Sequence, residues 1–149
     1  MATIDRMLQN FQTLDTDAII EDSFNDTKQE FIDKNKKQLF SGTTNTGVRV
    51  SPSYKRANYA RKKNQLNPVP GLGNPDLFLT GKAYQSIEVT LEGDTIKEVF
   101  TVPKYGDILD QKYESVLGLG GDNRSEYLRD NLGPSVREKI ELHTGLKFR

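Results

Sequence analysis

Cysteine and tryptophan are absent from this 149-residue chain, histidine occurs once, as His143, and methionine occurs twice. Without cysteine there is no disulfide framework, no thiol nucleophile and no zinc-thiolate site. With one histidine, no His pair can hold a metal, and any Ser-His-Asp triad would have to use His143. No nucleophile motif accompanies it, so the expectation is a surface or dipole-compensating role late in a C-terminal helix. No apolar run approaches the roughly 18 residues that span a bilayer. Met1 to Leu14 lacks a basic region followed by an apolar one, so the sequence predicts a soluble chain made in a cytoplasm. Hydrophobic residues make up only 34%. A core that thin implies either that long segments lie outside it or that burial is completed against copies or partners.

Charge is plentiful and segregated. Net charge is zero, yet residues 1–33 hold 2 basic and 8 acidic side chains, whereas residues 34–75 hold 9 basic and none acidic. Residues 76–149 return to a mild acidic excess of 10 basic against 13 acidic. Such blocks suggest an electrostatic role, with the basic block facing either nucleic acid or the acidic face of a neighbouring copy.

The clearest element is a strand. Ile87, Val89 and Leu91 alternate with Glu88, Thr90 and Glu92, the period of a half-buried strand. Glu92-Gly93-Asp94-Thr95 supplies a hairpin turn, and Ile96 to Val102 returns, with a phase slip around Val99 that suggests a bulge or two-sided burial. Upstream, Thr3 caps a short helix carrying Ile4, Leu8 and Phe11. A second helix begins after Asp17, stacks Ile20, Phe24, Thr27 and Phe31, with Ile32 and Leu39 beside them, and ends near Ser41-Gly42. A short strand is expected over Gly47 to Val50. Ser51-Pro52 reads as the start of a helix over Tyr54 to Gln65, followed by a Pro- and Gly-rich loop over Asn67 to Pro75. Val116 to Gly121 reads as a flexible link. Two C-terminal helical pieces then follow, Ser125 to Asn131 and Ser135 to His143, with Gly133-Pro134 between them and Tyr127, Leu128, Leu132, Val136, Ile140 and Leu142 for the core. The fold expected is α+β: N-terminal helices, a small antiparallel sheet on a central hairpin, an extended basic arm and C-terminal helices. A single domain over 1–149 is expected, with 41–76 protruding as the arm.

Chemistry is sparse. Asp107, Asp110 and Glu114 on one helical face would permit a hard-cation site, but they lack the loop spacing of a calcium motif. Gly118-Leu119-Gly120-Gly121 and Gly71-Leu72-Gly73 lack the strand, lysine and helix start of a phosphate loop. No enzyme activity, metal or cofactor is expected. The basic segment Tyr54, Lys55, Arg56, Tyr59, Arg61, Lys62 and Lys63 interleaves cations with aromatic rings, as a nucleic-acid contact would. Equally, it would meet the acidic Glu21, Asp22 and Asp26 of a neighbour.

Leu79, Thr80, Gly81, Ser86 and Ile87, entering the strand, resemble the hallmark of the phage virion-morphogenesis and tail-completion proteins. Val50-Ser51-Pro52 with the basic helix before it, and Tyr105, Gly106 and Gln111 after it, keep the order of that family over about half the chain. Asp110 stands where the family has His, and Lys112-Tyr113 replaces an aromatic-Gly pair. The resemblance implies a non-enzymatic virion component of a tailed phage: a ring of identical copies at the head-tail junction. It implies portal, adaptor or tail proteins as neighbours, and contact with duplex DNA in the channel as a further expectation. The alternative is a small DNA-binding module using residues 54–63.

Overall fold

The computed structural model describes residues 3–106, 109, 112, 113 and 115–149. The fold is α+β. In chain order come α1 (Ile4–Gln12), α2 (Thr16–Phe40), α3 (Ala57–Leu66), α4 (Lys82–Gln85), β1 (Ile87–Glu92), β2 (Thr95–Phe100), α5 (Pro103–Tyr105), α6 (Gly121–Tyr127) and α7 (Gly133–Thr144). By internal packing the chain divides into two compact units, where length alone suggested one domain. One is Met1–Glu30 with Ser125–Arg149; the other is Phe31–Arg124.

In the first unit, Thr3 caps α1 as expected, its hydroxyl accepting from the Arg6 amide at 3.4 Å. The α1 stripe, however, is not core: Ile4, Leu8 and Phe11 are exposed, as are Ile20, Leu128 and Leu142. What is buried is Phe24 and Tyr127, together with Ser23, Thr27 and Thr144. The Tyr127 and Thr27 hydroxyls are 2.8 Å apart, and Thr27 also bonds the Ser23 carbonyl, so polar groups fill space that apolar ones would normally take. The Gly133-Pro134 step does not break the C-terminal helix. Pro134 lacks an amide to continue the α-ladder, and the chain widens instead into a π-turn over Leu128–Leu132 before resuming as α7. A methyl on Gly133 would lie 2.7 Å from the Leu128 carbonyl oxygen, so this position requires glycine.

In the second unit, the later half of α2 buries Phe31, Ile32, Asn35, Gln38 and Leu39. Gly42, at φ +75°, closes the helix in the left-handed region as the sequence predicts. Any Cβ there would also stand 2.7 Å from Pro70 Cβ, which shows how closely the Pro-rich loop lies on this helix end. The hairpin pairs Ile87 with Phe100 through Glu92 with Thr95 in unbroken antiparallel register, so of the two expected alternatives, a bulge or two-sided burial, the bulge is not formed. The apparent slip is instead an inward-facing Glu98 between Ile96 and Phe100. Gly93, at φ +64°, takes the first position of the two-residue turn.

Three local expectations are corrected. Residues 47–50 form only an isolated bridge, Thr43 with Arg49, while Val50 alone is buried. The helix after Ser51-Pro52 begins later, at Ala57, with Arg56 in extended conformation at the cap position. The link at 116–120 is tied down rather than loose. Asn35 and Gln38 donate to the Gly118 carbonyl at 2.8 and 3.0 Å, Asn45 donates to Leu117, and Gln38 accepts from the Gly120 amide at 2.7 Å.

Candidate interaction surface

The basic segment is held by a buried cluster. The inward stripe of α3 is Ala60 and Lys63, continued by Asn67. Lys63 is only 5% exposed, and its Nζ lies 2.7 Å from Oδ1 of Asp76, itself 2% exposed. The same ammonium donates to the Phe78 carbonyl. Asp76 accepts further from Asn67 Nδ2 at 2.9 Å and from the Phe78 amide at 2.9 Å, and its carbonyl accepts from the Tyr84 hydroxyl. Asn67 also donates to the Phe40 carbonyl at 2.8 Å and accepts from the Val69 amide at 3.1 Å. One cluster thus fastens the end of α2, α3, the Pro-rich loop and α4 together. Burial, followed by the Asp76 charge, pushes both the Tyr54 and the Tyr84 hydroxyl above the usual tyrosine range, so both stay neutral donors.

This cluster corrects two expectations. Lys63 is not an interface cation, because its charge is spent on Asp76 inside its own unit. Nor does 41–76 protrude: Val50, Ala60, Asn67 and Asp76 are buried, and the Tyr54 amide donates to the Gly73 carbonyl at 2.9 Å. The segment is woven into the second unit because its buried polar groups find their partners there.

The remaining cations keep their place at the surface. Lys55, Arg56, Arg61 and Lys62 are exposed, and none makes an ion pair among the described residues. Tyr54 and Tyr59 pack edge to face, ring centres 5.0 Å apart, so the edge of one ring is committed to a face of the other. With Leu77, Phe78, Leu79 and Lys82 they line an open cleft of about 420 Å³. On the acidic side, which belongs to the first unit, Glu21 and Asp22 are exposed, while Asp26 is held by Lys139 of the same unit at 2.8 Å.

The residues that carry the family resemblance divide in two. Gly81, at φ +79°, provides the left-handed break that starts α4. Ser86 closes α4: its hydroxyl donates to Ala83 at 2.8 Å, and its carbonyl accepts from the Thr101 amide and hydroxyl. Ile87 is core. Leu79 and Thr80 instead face solvent, so the structural motif is also part of the surface.

What sequence reasoning missed is the loop's presentation. Asn67 fixes its start, and Asn74 fixes its end through a 2.7 Å bond to the Pro70 carbonyl. On that pinned frame Leu66, Val69 and Leu72 are 57%, 62% and 64% exposed. Their spacing of three in an otherwise uncharged stretch was the available signal.

Other candidate chemistry does not assemble. His143 sits in the last turn of α7, its Nε2 3.5 Å from the Thr13 hydroxyl. Asp107, Asp110, Glu114 and Gln111 lie outside the described residues. Among the described residues no group of three or more His, Asp or Glu side chains could hold a metal ion. No described helix is long and apolar enough to cross a membrane. Comparison with family models, curated proteins and solved structures finds no match.

Proposed function

We propose that this chain is a non-enzymatic structural protein of a tailed-phage virion, assembling as a ring of identical copies at the head-tail junction. It would work as a neck, connector or tail-completion component against portal, adaptor or tail proteins. The resemblance of Leu79 to Ile87, with its flanking motifs, supplies the identity of that reading. The observation that carries the assembly part is the exposed apolar row of Leu66, at the end of α3, with Val69 and Leu72 of the loop that follows. A loop so firmly pinned by buried hydrogen bonds gains nothing within its own unit from exposing three large apolar side chains, and it is already in the shape a partner would need. The first unit adds to this, because its α1 stripe is left in water. Exposed cations on α3 and exposed acids on α2 give each copy two unlike surfaces, the requirement for a heterologous, ring-closing contact.

The test is Arg61→Glu with Lys62→Glu, leaving Lys63 intact. Ring formation should be lost while the circular dichroism spectrum and melting remain those of the parent. Rings that form normally from this variant would count against the electrostatic contact.

A second reading, the small DNA-binding module, has one specific observation in its favour: Lys55, Arg56, Arg61 and Lys62 are exposed and make no ion pair among the described residues. It predicts that the isolated chain binds arbitrary duplex DNA with an affinity falling steeply with salt, a slope of about 0.9 per phosphate contact.

A further inference from the structure

The hairpin carries a carboxylate on its core side. In the register of β1 and β2, Ile87 faces Phe100, Val89 faces Glu98 and Leu91 faces Ile96, so Glu98 stands among apolar neighbours. Both of its oxygens are buried, and neither accepts a hydrogen bond from a described residue. The Gly118 amide comes near it, outside hydrogen-bonding geometry, and offsets the burial only in part.

A second orphan belongs to the same neighbourhood. Asn35 donates its amide to the Gly118 carbonyl at 2.8 Å and to the Val116 carbonyl at 3.3 Å, yet its buried Oδ1 accepts from no described residue. The other charged side chains of β1 and β2, Glu88, Glu92 and Lys97, point to the opposite face, and Asp94 lies in the turn. Val116 to Gly120 carries no titratable group, and from α2 the groups reaching this link are the neutral amides of Asn35 and Gln38. No described charged group biases the titration of Glu98. Among the described residues the place is rich in acceptors and short of a donor, and a proton on Glu98 is the smallest thing that supplies one.

We propose that Glu98 is a proton-operated latch between the hairpin and the 116–120 link. As a carboxylic acid it stays packed beneath the strands. When it gives its proton to the buffer, it becomes a buried anion that the nearby Gly118 amide only partly offsets and that no other described donor reaches, and it leaves for solvent, releasing the link. Inward-facing charges of this kind cost stability, and a chain that keeps one at a packed glycine link gains a response to pH.

The size of the response follows from linkage. Burial pushes the Glu98 carboxyl from 4.5 up to about 7. If the open state restores the ordinary value, the opening constant rises about tenfold per pH unit between those limits and levels off above them. Between pH 5 and pH 8 the change is roughly 70-fold.

The experiment is amide hydrogen exchange on the full chain from pH 5 to 8, corrected for intrinsic rates, with a carbon-13 titration of the Glu98 carboxyl. Protection at 116–120 should fall by that factor while amides in the 31–39 part of α2 hold theirs. Glu98→Gln should make the link insensitive to pH. A Glu98 carboxyl titrating near 4.5 would overturn the latch, whether or not the variant folds. So would the same pH course in wild type and Glu98→Gln, or a loss of protection shared equally by α2.

Discussion

Replacing Asp76 by Asn probes the buried cluster with the least change of shape. The amide keeps an oxygen for the Phe78 N–H, but Lys63 would be left as an ammonium in a site only 5% exposed, without its counter-ion at 2.7 Å. Removing one member of a buried ion pair costs about 3–5 kcal/mol, because the other charge stays behind. Against a total stability of about 5–15 kcal/mol for a domain, that is a large fraction. Two units need not melt together, so the readout should be specific to the second: exchange of the α3 amides, alongside urea unfolding followed by tyrosine fluorescence. Lys63→Met combined with Asp76→Asn should cost at least about 1 kcal/mol less than the sum of the single changes, since the double variant strands no charge. The difference between wild type and Asp76→Asn should persist in 1 M salt, where an exposed pair would be screened. A loss below about 1 kcal/mol, or one that vanishes with salt, would refute the claim that this pair is dry and holds the loop.

Further expectations concern the same frame. Val69→Ser and Leu72→Ser should change stability by no more than about 0.5 kcal/mol, since both are exposed, yet weaken assembly measured by sedimentation. Asn67→Ala should lose roughly 1–3 kcal/mol of α3 protection by leaving the Phe40 carbonyl and Asp76 short of a donor. For Glu98, the raised value means that the folded state holds a proton the unfolded chain has lost, so stability falls as pH rises from 4.5 to about 7. The loss amounts to about 3 kcal/mol, and Glu98→Gln should abolish this slope in denaturation at pH 5 and pH 8.

Much of the fold was legible because local patterns agreed with packing. The Ile87–Val89–Leu91 alternation, the Phe24–Thr27–Phe31 stripe and Gly42 as helix terminator each reappear in their expected place. The misreadings share a cause. Periodicity assigns polar residues to the outside, and this chain buries several. Composition groups Lys63 with its charged neighbours, although its spacing from Ala60 and Asn67 puts it on the inner stripe of α3. Asp76, the first acid after a long run without one, was its available partner. Glu98 was hidden in the same way, its inward position readable only by counting from the Gly93-Asp94 turn. In the opposite sense, Ile4, Leu8 and Phe11 look like core and are not, because periodicity marks an apolar face without saying what covers it. The basic arm looked free because composition cannot reveal that Asn67 and Asp76 tie its backbone down.

Assembly is the central claim, and the mass of the purified chain as a function of concentration and salt tests it most directly. The account predicts a shift from monomer to one closed species of fixed copy number, visible as rings, weakened by salt and abolished by Arg61→Glu with Lys62→Glu. A chain that remains monomeric at every concentration and salt, with Leu66, Val69 and Leu72 freely accessible to solvent, would contradict it.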